Sequence, residues 1–197
     1  MTAGNPRGRR PGAPDTRSAI LGAARARFAA HGFSGTTIRA VAGDAGVDAA
    51  LVHHYFGTKD DLFLAALEIP IDPRELLLPV VEQGTEGVAE RLLGVFLTVW
   101  DDPEVQPAML AVVRAVTDPA GSRLVADGIL PVVVRPMVEA LGVDRPEHRM
   151  PIVASQVMGL ILLRYVLRVE PLASMPREQV IATYAPTLQR YLVGPLP

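Results

Sequence analysis

The sequence predicts an all-α protein, and three observations carry that prediction. Aromatic residues make up only 5% of the 197 residues while alanine is abundant, a balance that favours helix over sheet. Apolar residues recur at helical spacing, with no strand-like alternation and no repeat period. Proline and glycine fall where helices begin and end.

Residues 1–13 read as a flexible basic arm. The run "RGRRPG", with Arg9 and Arg10, has the character of arms that enter the minor groove of DNA, and equally that of a solvated tail. The first helix is expected from Asp15 or Thr16 to His31, with Ile20, Leu21, Ala24 and Phe28 as its stripe and Gly32 as its stop. Thr36 is placed as the cap of a short helix over 37–44 whose inner face is Ile38, Val41 and Ala42. Gly46 breaks it, and Asp48 caps a second short helix over 49–55. Two short helices around a glycine-containing turn make a helix-turn-helix, here at about 37–56.

A further helix starts at "TKDDLFLAALEI", where Asp60 and Asp61 suit the positive end of the dipole. "PIDP" at 70–73 ends it, which divides the chain into 14–74 and 75–197. Helices are then expected at 85–100, 104–116, 120–141 with a kink at Pro131 or Pro136, 151–169 and 176–192. The first of these is apolar on most sides and should be central.

Composition narrows the function. There is no cysteine, which removes disulfides, thiolate zinc sites and cysteine nucleophiles. The longest apolar run, 157–163, is short of the ~20 residues a membrane helix needs. No apolar leader opens the sequence, so a soluble cytoplasmic protein is expected. The net charge of −2 hides an asymmetry: residues 1–60 hold eight basic side chains against four acidic, the remainder eleven against seventeen. A polyanion partner would therefore meet the first third.

That third contains "GVDAALVHHYFGTKDDLF", which places two of the four histidines beside the sole lysine. His53 and His54 project about 100° apart on a helix and cannot converge on one ion. No serine lies in a strained turn beside a base, so a hydrolytic triad is not supported either. A nucleic-acid surface fits better: Val47, Val52 and Phe56 anchor the helix, and His53, His54, Tyr55 and Lys59 lie toward the groove and its backbone.

The linked elements "FAAHGF", "TTIRAVAGDAGV" and "LVHHYF", in order before the lysine, closely resemble the DNA-binding domain of the TetR (tetracycline repressor) family of bacterial transcriptional regulators. The resemblance implies a homodimer on a palindromic double-stranded operator, with a C-terminal effector pocket that weakens DNA binding when filled. By position it implies a phosphate contact for Thr37 and a base contact for Arg39. Ala49, Ala50 and Leu51 would face the bases, and His53, His54, Tyr55 and Lys59 would contact the backbone or flank it. Those three facing residues are apolar here, where relatives often carry polar ones. They can meet thymine methyls but form no bidentate hydrogen bonds. Arg39 and DNA shape would then carry more of the specificity.

For the second part the sequence predicts an apolar pocket between helices. Its candidate lining is Phe96, Trp100, Met109, Val113, Met137, Met158, Leu162 and Tyr165, with Arg114 and Arg164 as polar anchors; each also suits an ordinary core position. The last two helices carry surplus apolar area, which makes Val157, Gly159, Ile161, Val180, Tyr184, Leu188 and Tyr191 the candidate dimer interface. The expectation is a ligand-responsive repressor, not an enzyme, with a hydrophobic small-molecule effector, no cofactor, no metal and no membrane. The alternative is an all-helical protein-interaction module that does not bind DNA.

Overall fold

A computed structural model describes residues 15–68, 71–115 and 125–196, so Arg9, Arg10 and the predicted helix ends at Val116 and Ala120 lie outside the described residues. Ten α-helices and no strand occur among those residues.

Helix α1 (Thr16–His31) buries Ile20, Leu21, Ala24 and Phe28, the stripe its spacing predicts. Helix α2 (Ile38–Ala45) begins one residue later than expected. Thr36 is buried and its hydroxyl donates to the Gly32 carbonyl at 2.8 Å, so Thr37 takes over as cap and accepts from the Ala40 N–H at 3.2 Å. Gly46 follows in the left-handed region (φ 68°), and the Val47 N–H reaches back to the Ala42 carbonyl at 3.0 Å. A residue with a Cβ would be strained there, and this turn fixes the angle at which the next helix leaves. Helix α3 (Ala49–Phe56) is capped by the Asp48 carboxylate on the Ala50 N–H at 2.7 Å. Helix α4 (Lys59–Ala66) carries a capping box, with the Thr58 hydroxyl accepting from the Asp61 N–H and the Asp61 carboxylate accepting from the Thr58 N–H.

These four helices close a first core in which the Phe63 ring stands edge-on to Phe28 and Phe33, with centroids 5.1 and 5.2 Å away. The core is not complete within the first 68 residues. Val132 and Val133, from a stretch over Val125–Val134 wound as a π-helix, belong to it as well. The expected kink near Pro131 is thus a widening of the helix. The wider winding accommodates a ring that lacks an N–H and crowds the preceding turn.

Helices α5 (Pro73–Val81), α6 (Val88–Trp100) and α7 (Gln106–Ala115) lead to that stretch, and α8 (Arg135–Leu141) follows it. Helix α9 (Pro146–Ile161) runs on into a π-wound turn, Leu162–Val166, and α10 (Arg177–Val193) ends the chain. A second core collects Val88, Leu93, Leu97 and Trp100 of α6 with Leu160 and Ile161 of α9 and Val180, Ala185, Leu188 and Leu192 of α10. The nearly buried Arg149 ties α9 to α10 by donating to the Tyr191 carbonyl at 2.8 Å while pairing with Asp144. Residues 146–166 are long and apolar enough, by length and composition, to cross a membrane, because averaging absorbs the polar residues that interrupt the apolar run. Here that helix packs on α10.

Candidate nucleic-acid interface and effector cavity

The phase of α3 decides which side chains face outward. Val52 is fully buried and Phe56 nearly so, and Ala49, on the same side, packs on the first core. Ala50, His53 and His54 point outward, with Tyr55 at 41% exposure and Leu51 half-buried at the flank. Ala49 is half-buried, at spacings of three and seven from Val52 and Phe56, so its methyl sits at the edge between the core and the outward face.

A carbonyl can only accept, so the 2.7 Å contact of His53 Nδ1 with the Gly57 carbonyl fixes Nδ1–H as a donor. Nε2 is left to face outward. The His54 ring stands edge-on to Tyr55 at 5.6 Å. Thr37 and Arg39 are exposed at the start of α2. Lys59 is drawn further in than expected: its Nζ lies 4.2 Å from the Phe33 ring centroid, and burial pushes its pKa down against the opposing pull of Asp60. Arg17, not singled out by the sequence, places its guanidinium 5.2 Å from the Phe56 centroid. Its one legible signal was its position in the first turn of a helix in the basic third.

Arg25 and Arg27 brace helices and leave that face to other cations. Arg27 forks onto Asp44 at 2.5 and 2.9 Å, clamping α1 to α2, and its hydrogen bond holds the Asp44 carboxyl below the usual range. Arg25 donates to the Ala66 carbonyl at 3.2 Å and pairs with Glu68.

Between the two cores lie two apolar lobes of about 250 and 310 Å³. Of the predicted lining, Phe96 and Met158 wall both lobes, Trp100, Met109 and Val113 the first, and Met137 the second. Four expectations are corrected. Leu162 is 41% exposed, Arg114 is absent from both linings, and Arg164 and Tyr165 wall a separate polar cavity. The π-wound turn accounts for these last two, since it shifts the helix face that an uninterrupted α-helix would present. Tyr165 donates to Asp101 at 2.8 Å, and its ring stacks on Trp100 at 5.1 Å. Burial, then the Asp101 hydrogen bond, push its hydroxyl pKa well up, so it stays a neutral donor.

The lobes also take residues the sequence did not offer. Leu64 of α4 and Leu67 just past its end line the first, and Leu77, Ile129 and Val133 line both. Leu64 and Val133 are at once core residues of the helix-turn-helix unit and cavity walls.

The proposed interface stripe is corrected too. Val180 is fully buried and Leu188 is 4% exposed, because α10 lays that face along α6. Val157 and Ile161 wall the cavity, and Gly159, Tyr184 and Tyr191 are half-buried. Besides Leu76, at 37%, the large aliphatic side chains left exposed among the described residues are Leu162, Leu163, Leu167 and Val169, at 41, 40, 58 and 45%.

Residues 20–66 match the family described as "Bacterial regulatory proteins, tetR family", and residues 86–192 match "Tetracyclin repressor-like, C-terminal domain". The TetR-family regulator SCO0857 from Streptomyces coelicolor A3 is 38% identical, over 94% of this chain and 98% of its own, with a TM-score of 0.48. The HTH-type transcriptional repressor SCO4008 of Streptomyces coelicolor is 36% identical over 78 residues, 40% of this chain. The HTH-type transcriptional regulator HbdR of Aromatoleum sp. is 35% identical over the same length. The chain spans 41% and 34% of the length of these two curated relatives. The match to the C-terminal domain covers more than half of the 197 residues, so the chain belongs to the TetR family of bacterial transcriptional regulators, which are not enzymes.

Proposed function

We propose that this regulator represses transcription in the cytoplasm by binding a palindromic operator as a homodimer, and that a hydrophobic small molecule in the two-lobed cavity releases it. The observation that carries this reading is the shared wall: Leu64 and Val133 belong both to the core beneath α3 and to the cavity. A molecule that fills the lobes displaces α4 and the Val125–Val134 stretch, and with them the support of the recognition helix. In a dimer, the two recognition helices must sit about 34–36 Å apart to enter successive major grooves. Binding that favours another spacing shifts the population away from DNA.

On the DNA, Thr37 and Lys59 hold phosphates, Arg39 reaches a base, and Ala50, Leu51, His53, His54 and Tyr55 meet the groove and its edges. Arg9 and Arg10 enter the minor groove. Dimer contacts run through the exposed face ending in Leu162, Leu163 and Leu167, with Gly159 allowing close approach. The test is a gel shift of the DNA upstream of the gene, with and without a neutral polycyclic probe. Retarded DNA that the probe releases supports the reading. If no DNA is retarded, the alternative stands: a helical protein-interaction module.

A further inference from the structure

On the far side of the stacked Trp100–Tyr165 pair lies a polar cavity of about 360 Å³ that shares no lining residue with the apolar lobes. Trp100 faces the apolar lobe and Tyr165 this one, so two aromatic rings separate two chemically opposite spaces.

The acceptors of this cavity are committed. Asp101 accepts from the Tyr165 hydroxyl at 2.8 Å and from Arg177 at 3.4 Å, and Glu170 accepts from the Ser174 hydroxyl at 2.6 Å. The cations are less so. Arg164, with 9% of its side chain exposed, stands 3.9 Å from Asp101 through Nη2 and donates through Nη1 to the Leu172 and Met175 carbonyls at 2.7 and 2.8 Å, which locks its position. Its Nε is buried with no hydrogen-bond partner, although a buried charged donor without an acceptor is costly. Arg168 lies on the wall with no ion pair among the described residues, and its backbone sits at φ 51°, a strained value for a residue with a Cβ. The π-wound turn Leu162–Val166 carries Arg164 and leads to Arg168, a winding found often at functional sites.

From this juxtaposition we infer a second ligand site, specific for a small monocarboxylate whose anionic end pairs with Arg168 and Arg164 and whose body rests against Tyr165 and Ala173. Planar guanidinium groups match a carboxylate fork. A single charge is selected because Asp101 and Glu170 share the wall and repel a more highly charged anion. This site stands independently of the release mechanism, since neither arginine lines the apolar lobes.

The full chain carries one tryptophan, Trp100, against the back of the site, so its fluorescence and titration calorimetry both report binding. The probes are benzoate, its neutral counterpart benzyl alcohol, and inorganic phosphate. Benzoate is expected to bind at roughly millimolar or lower concentration and the other two at least about tenfold more weakly. Arg168→Ala should weaken benzoate by about tenfold or more without changing the melting temperature, whereas Arg168→Lys keeps part of the affinity. Val157→Trp, which fills the apolar lobe, should leave benzoate binding intact. The inference is overturned if benzyl alcohol matches benzoate, if Arg168→Ala binds normally, or if Val157→Trp abolishes binding. Equal binding of phosphate overturns the selection for one charge.

Discussion

Gly128 is where the effector-side helix presses into the DNA-binding core, and its replacement by alanine should be costly. A Cβ there would lie 2.2 Å from Phe63 Cζ and 2.7 Å from Cε2. Carbon atoms pack best at about 3.5–4.0 Å, so one side must retreat by more than ~1 Å. Phe63 is fully buried and boxed in by Phe28 and Phe33, which leaves the Val125–Val134 stretch to move. Overpacking of this kind costs about 1–3 kcal/mol, and in a protein of this size that lowers the melting temperature by roughly 2–12 °C. Gly22→Ala and Gly43→Ala are the controls: both sites are helical with nothing within 4 Å of the added atom. They should stabilise by about 0.5–1 kcal/mol through lost backbone entropy in the unfolded chain. Thermal melts of the three variants decide the matter, together with Gly128→Ala combined with Phe63→Leu, which should recover part of the loss through coupling between neighbours. A Gly128→Ala protein that melts no lower than wild type would refute the close approach of Gly128 to Phe63.

Further outcomes are expected. Arg74 hydrogen-bonds Asp72 and Asp61; the first bond holds the Asp72 carboxyl low, while at Asp61 burial is outweighed by bonds from Thr58 and Arg74. Depressed carboxyl pKa values give stability that is present above the unfolded value near ~4 and lost as pH falls through the folded ones. Unfolding followed from pH 6 downward should accordingly show a flatter acid dependence in Arg74→Ala than in wild type. Leu163→Glu puts a charge on the exposed apolar face and should give folded monomers in sedimentation, while Leu188→Glu should unfold the chain because that residue is buried in its own protomer. Lys59→Ala should flatten the slope of log affinity against log salt by about one unit per half-site, and an unchanged slope removes Lys59 from the phosphate contacts.

The helix-turn-helix was legible because its determinants are local. Gly46, the Asp48 cap and the stripe of Val41, Val52 and Phe56 each act within a turn or two of the chain. Phase was readable where two large apolar residues, Val52 and Phe56, fixed it. Long-range packing was less legible. Val180 and Leu188 looked like surplus surface until α10 lay against α6, and Val157 and Ile161 turned out to face a cavity.

By itself, the sequence determined the all-helical class and the local helix boundaries of the first part, since periodicity and caps are properties of neighbouring residues. Only the tertiary structure decided that Val132 and Val133 complete the first core, and that the wall between Trp100 and Tyr165 divides an apolar space from a polar one. It also decided which apolar stripe stays outside. Each depends on which segments distant in sequence meet, and the π-wound turns rotate side chains away from the register that an α-helical period predicts.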